Sequence, residues 1–136
     1  MKKHAATLLI LMLVALTGLV NAQTRIKAQV PFDYVVKDKT LPAGECTIQV
    51  KGDGITVLWI ASGGEGLFVH PNASQSAKPS AQTTLLFRRY GDRYFLAGIR
   101  RQGEDRGYEF PVSRLEGELR AQNIAEKIVT LLASAK

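Results

Sequence analysis

The chain has one cysteine and two histidines in 136 residues, and each shortage removes a class of chemistry. A single thiol, Cys46, cannot close an intramolecular disulfide, so the hydrophobic core has to carry stability. Zinc sites draw about four ligands from Cys, His and carboxylates, more than this composition supplies. No acidic run has the spacing of a calcium loop: Asp53, Asp92, Glu104 and Asp105 are spread over different turns. Gly52-Asp53-Gly54 lacks the strand–loop–helix setting of a phosphate cradle. Glu116 and Glu118, two residues apart on an expected helix, diverge rather than face each other across a cleft. There is no internal repeat and no low-complexity tract.

Two reactive residues remain. His70, beside Pro71 at the start of a loop, is the one candidate general base of the mature chain. Cys46 could pair with it as a thiol nucleophile only if the two were close. Strand alternation instead predicts a buried Cys46, and no helix start or basic cluster surrounds it to activate the thiol. The balance points away from an enzyme, with a small hydrolase or thiol enzyme using His70 or Cys46 as the alternative. Neither a cofactor nor a metal is expected.

The first 22 residues read as a secretory signal. Lys2 and Lys3 precede an apolar run, Leu8 to Val14, and Val20-Asn21-Ala22 ends in small residues suited to cleavage. The run is short of the roughly 20 residues a membrane span needs, so no transmembrane anchor is expected after cleavage. Cys46 lies too far on to carry a lipid. The expected location is outside the cytoplasm, periplasmic or extracellular. Residues 23–136 then form a single domain. Losing two lysines leaves 16 basic against 12 acidic residues, a net charge of +4, which suits weak attraction to polyanions without marking a nucleic-acid binder.

The mature segment reads as strands. Val30, Phe32, Tyr34 and Val36 recur every second residue, the period of a half-buried strand, with Pro31 placing its start at an edge or bulge. Either Lys37-Asp38-Lys39 or Pro42-Ala43-Gly44 turns the chain into the next strand, which alternates through Cys46, Ile48 and Val50. Ile55 to Ala61 is apolar on both faces, as for a central strand covered on both sides. Ser62-Gly63-Gly64 ends it, and Gly66 to His70 is a short fourth strand. Residues 71–82 form a loop without periodicity. It is long for a compact domain, and so either mobile or functional. Its Asn72-Ala73-Ser74 matches a glycosylation acceptor pattern that is common by chance.

Leu85 to Arg101, LLFRRYGDRYFLAGIRR, contains the second hairpin. A two-residue loop at Gly91-Asp92 sets Phe87 against Leu96, Arg88 against Phe95 and Arg89 against Tyr94. One face then holds Leu85, Phe87, Tyr94 and Leu96, and the other holds Leu86, Arg88, Phe95 and Ile99. Arg88, Arg89 and Arg93 gather near the tip with Tyr90 and Tyr94, whose rings can stack on planar groups. These five residues are the candidate binding site. The competing reading is an edge hairpin whose charges deter edge-to-edge pairing, with Asp92, Glu104 and Asp105 as ion-pair partners. After a polar turn, Ser113 and Glu116 have capping-box spacing, and residues from about 113 to 134 read as a helix weakened by Gly117 and Asn123. The expected fold is mainly β: a small antiparallel sandwich or open barrel of about six strands, with the C-terminal helix covering one side.

VPFDYVVKDKTLPAGECTI, LLFRRYGDRYFLAGI and FPVSRLEGEL together resemble a family of small signal-bearing bacterial proteins of uncharacterised function. The resemblance covers most of Val30 to Leu119 and is most specific around Arg89-Tyr90-Gly91-Asp92 and Tyr94-Phe95-Leu96. Cys46 departs from it, since the family favours an aromatic there. It implies an exported β-rich domain and carries no activity or site residue. The functional expectation is an exported, non-enzymatic binding or assembly module of the cell envelope. Its partner would be an envelope protein or an anionic glycan. Electrostatic binding to nucleic acid or another polyanion is a further alternative.

Overall fold

The computed structural model describes residues 25–51 and 56–135. The expected signal segment and the expected turn at Gly52-Asp53-Gly54 therefore lie outside the described residues. Ile26, Ala28 and Val30 alternate with polar residues, and strand β1 (Arg25–Val30) buries the apolar set. The expected alternation through Val36 does not continue as one strand. Pro31 supplies no backbone donor, and Pro31–Asp33 crosses to a second sheet, where β2 (Tyr34–Val36) begins. Asp33 fixes that crossing by accepting a hydrogen bond from the Ala43 amide at 2.8 Å.

Of the two possible turns, Lys37-Asp38 closes the hairpin between β2 and β3 (Lys39–Leu41), with Val36 opposite Lys39. Pro42-Ala43 instead returns the chain to the first sheet. There β4 (Gly44–Lys51) pairs with β1 along its length. As expected, the chain breaks after Ser62: β5 (Val57–Ser62) and β6 (Glu65–Val69) form a hairpin through Gly63-Gly64, both at positive φ. β5 is buried on alternate residues only. Its outer face is covered by neighbouring side chains, with Trp59 against Phe68 at 4.6 Å between ring centroids, and by no further layer among the described residues.

The stretch expected to be a structureless loop includes β7 (Asn72–Gln75), an edge strand paired with β10 (Arg106–Glu109). Between them in sequence lies the hairpin β8 (Thr84–Tyr90) and β9 (Arg93–Arg100), in the expected register near its tip. Further along, Ala97 is an extra residue: Leu86 faces Gly98 while Phe87 faces Leu96. That bulge moves every later β9 residue to the opposite face. Ile99 consequently joins the core beside Leu85, which corrects its expected placement with Leu86 and Arg88.

The C-terminal region departs most from expectation. Helix α1 runs only from Arg114 to Ala121, capped by the Ser113 side chain. Asn123 sits at φ 59° and turns the chain away. β11 (Glu126–Leu132) then pairs with β8, and β12 (Ser134–Ala135) pairs with β1. Val129 and Leu131 pack on the core while Ile128 and Leu132 stay exposed. That period of two, with the β-branched run Ile128-Val129-Thr130, favours a strand.

The result is a β-sandwich with no closed barrel: a five-stranded sheet β12-β1-β4-β5-β6 facing a seven-stranded one built on β11-β8-β9-β10-β7, with β2 and β3 attached through β9. Among the described residues, twelve strands, several of them short, stand where about six were expected. Ile26, Ile48, Leu58 and Ile60 from one sheet meet Leu85, Phe87, Leu96 and Ile99 from the other in the main core. A second, smaller cluster lies outside the sandwich, where Leu115 and Leu119 of α1 cover Val35, Tyr90 and Phe95.

Candidate binding site

Strand alternation at the β8–β9 tip divides the five candidate residues. Arg88 and Tyr90 point to the outer face of the large sheet, beneath α1. Arg88 is only 8% exposed and Tyr90 2%. The Arg88 guanidinium is held bidentately by Glu116: Nε donates to Oε1, Nη2 donates to Oε2 at 3.1 Å, and Nη2 also reaches the Phe110 carbonyl at 3.1 Å. The Tyr90 hydroxyl lies 2.9 Å from Glu116 Oε1 and accepts from Arg120 Nε at 2.8 Å. Arg120 Nη2 donates in turn to Glu126 at 3.2 Å. Burial pushes the Tyr90 phenol pKa up, while its hydrogen bond from Arg120 opposes that rise.

This network of two arginines, two glutamates and a tyrosine fastens the helix to the sheet. Glu116, expected to cap back toward Ser113, is instead 1% exposed and spends its carboxylate on Arg88 and Tyr90. Only the forward half of the capping box forms, with Ser113 Oγ accepting from the Glu116 amide at 3.2 Å. Two of the candidate binding residues are thus part of the protein's own framework and almost wholly buried.

Arg89 and Tyr94 face the opposite way, at the rim where the large sheet's inner face reaches the end of the sandwich, whereas Arg93, paired with Tyr90, lies on the other side of the turn. Tyr94 stacks on Phe32 with ring centroids 3.7 Å apart and planes 12° from parallel. Phe32 sits edge-on to the core residue Phe87 at 5.1 Å, so the stack is anchored in the core. The Arg89 guanidinium lies 5.5 Å from the Tyr94 ring centre, within cation–π range, and its Nε donates to the Gly91 carbonyl at 2.7 Å. Arg93 and Asp92 are exposed on the turn.

Sequence reasoning missed two members of this rim. Phe32 stood within an apparent strand, and its place in the crossing between sheets had no sequence signal. Lys127 was read as helical. In the structure it lies directly opposite Arg89 in the β8–β11 ladder, so the two cations share a face. Like charges at such a position repel. Among the described residues, Arg89, Arg93 and Lys127 have no carboxylate within ion-pair distance. Farther along β9 the charge is neutralised differently, because Arg101 pairs with Glu104 at 2.9 Å.

The two reactive residues do not come together. Cys46 is buried, as expected, opposite Ser62 at the Gly63-Gly64 end of the β5–β6 hairpin. His70 is exposed and follows Val69, which pairs with Leu58, four residues back along β5. At about 3.3 Å per residue, the offset along the strands alone is roughly 13 Å, and the two lie on opposite flanks of β5. Burial pushes the Cys46 thiol pKa up, the opposite of activation. Among the described residues no three His, Cys, Asp or Glu side chains group as a metal site. None of the described helices is long and apolar enough to cross a membrane.

Fold and site together define a small two-sheet β protein with one clamped helix and a basic, aromatic rim. The chain matches no family model, no curated protein and no solved structure.

Proposed function

We propose that the protein is a non-enzymatic binding module exported from the cytoplasm, which docks an anionic component of the cell envelope at the rim formed by Phe32, Arg89, Tyr94 and Lys127, with Arg93 on the adjoining turn. One observation carries this reading: Arg89 and Lys127 face each other across a strand pair, on an aromatic plate, without an acidic partner among the described residues. Folding alone disfavours such a pair, and an anionic partner would relieve the repulsion. The aromatic stack adds a flat apolar surface of the kind that sugars and planar groups lie against. The leader at residues 1–22 supports an envelope location. A buried thiol and an isolated exposed histidine argue against the catalytic alternative.

The test is retention of the protein on solubilised envelope fractions at low and high salt. A triple variant, Arg89→Ala, Arg93→Ala and Lys127→Ala, leaves the Arg88–Glu116 clamp intact. Retention should fall at least tenfold in the variant at low salt, and wild-type retention should weaken as salt screens the charges. Equal retention by both proteins would sink the proposal.

A further inference from the structure

A second concavity lies away from that rim, where three chain segments meet. The Lys37-Asp38 turn, the end of β6 at Val69-His70, and Phe110 to Arg114 enclose a cavity of about 270 Å³. Each wall is held from behind. Lys39 Nζ donates to the Gly66 carbonyl at 3.2 Å and ties the turn to β6. Phe110 is pinned by its amide, which donates to the Ala97 carbonyl at 2.8 Å, and by Arg88, which donates to its carbonyl. The site is therefore preformed, as small-molecule sites usually are.

Its lining is amphipathic. Val69 and Phe110 are buried in the core cluster and form an apolar floor, and Pro111 and Val112 add an apolar wall, Val112 being 41% exposed. At the mouth stand Lys37, His70 and Arg114 against one acid, Asp38. Arg114 leans toward Glu118 at 3.4 Å. Lys37 and His70 have no ion pair or side-chain hydrogen bond among the described residues. Lys37 also sits at φ 60°, one of only two described non-glycine residues with positive φ. Glycine or asparagine fits that turn position with less strain. A strained lysine presented at the lip of an apolar cavity is the kind of local violation that marks functional sites.

We infer that this cavity binds a small free carboxylate with an apolar body, the body resting on Val69, Phe110 and Val112 and the carboxylate meeting Lys37. The volume equals about nine waters at the roughly 30 Å³ each takes in the liquid, so the ligand has about ten non-hydrogen atoms. At that size, affinity in the range of about 0.1–1 mM is expected.

Benzoate is a suitable probe, with benzamide as its neutral isostere. Titrating either into the folded protein and following amide and methyl shifts by NMR reads the site directly. Benzoate should give saturable shifts at Val69, His70, Phe110 and Val112, with benzamide at least fivefold weaker. Lys37→Asn relieves the strained turn, so it keeps the fold while removing the charge, and it should weaken benzoate at least fivefold. Val112→Asp should abolish binding. No saturable shift up to 10-fold above the expected range, equal binding of benzamide, or unchanged binding by Lys37→Asn would overturn the inference. The rim triple variant should bind benzoate as the wild type does, which separates this site from the docking surface.

Discussion

Glu116 lies at the centre of the protein's most concentrated electrostatics. Its carboxylate is 1% exposed and takes hydrogen bonds from Arg88 and Tyr90. Removing one partner of a buried ion pair strands the other charge, at a cost of about 3–5 kcal/mol. Glu116→Ala should therefore lower unfolding stability by that amount in a urea titration. Arg88→Met combined with Glu116→Leu should recover most of the loss, because two apolar side chains leave no orphaned charge. A double variant no better than Glu116→Ala would mean that the network has a role beyond neutralising Arg88.

A second residue-scale expectation concerns alkaline pH. The Tyr34 hydroxyl is buried near Cys46 and Ser62 without a well-formed hydrogen bond, while Ser62 donates to the Pro42 carbonyl at 2.7 Å. Burial pushes both the Tyr34 phenol and the Cys46 thiol pKa up. The native state then holds protons that the unfolded chain releases at the ordinary values of about 8.5 for Cys and about 10 for Tyr. Their contribution is whole below those values and is lost as pH rises through them toward the native ones, by up to about 1.4 kcal/mol per pH unit for each group. Urea midpoints measured from pH 8 to 11 should fall. Cys46→Ala should flatten the fall between about 8.5 and 10, and Tyr34→Phe should flatten it above about 10.

Among the elements, β9 and the C-terminal region show what the sequence expressed and what it hid. The β8–β9 pairing near the turn was legible because Gly91-Asp92 fixes the register on both sides. The bulge at Ala97 was not, since an extra alanine in an apolar strand has no composition signal. Deleting Ala97 should remove the bulge while leaving Gly98 opposite Leu86 and Ile99 opposite Leu85, so Ile99 keeps its place in the core. The deletion should therefore keep a cooperative thermal transition, and Ala97→Ser should melt within a few degrees of wild type. The N-cap at Ser113 was equally legible, because it depends on a local spacing. Ser113→Ala should cost about 0.5–2 kcal/mol, read as a shift in urea midpoint.

The end of α1 was obscured because Ile124, Ile128, Leu131 and Leu132 fit helical spacing about as well as Val129 and Leu131 fit a strand. Tertiary pairing with β8 decided between them, and a bare edge of β8 is invisible in the sequence. The same blindness affected the site. Arg88 and Arg89 are identical in type and adjacent, yet one is buried against Glu116 and the other faces the rim. Only the pleat, together with a helix that returns from 28 residues away to cover one side, separates them.

At the scale of the whole molecule, the sandwich manages its edges unevenly. β7 is short and polar, and β12 has two residues. β11 is a seven-residue edge with Ile128 59% and Leu132 66% exposed, and Lys127 and Glu126 guard only its start. Apolar edges of that kind invite strand pairing between molecules. Ile128→Lys with Leu132→Lys should leave stability nearly unchanged and raise the concentration at which the protein begins to associate, measured by light scattering. An unchanged onset would show that β11 is not the sticky edge.

The last strands also set the order of events when the chain first folds. β1, the first strand described, has β12 on one flank, and β8 has β11. Both sheets therefore wait for strands that follow all the others described. Until then each sheet exposes a raw flank, and the contacts that close them span most of the chain, a topology that folds slowly. A nascent chain stopped at Asn123 has every residue of the rim except Lys127 and still cannot complete the sandwich. Closure of both sheets thus depends on contacts that only β11 and β12 supply.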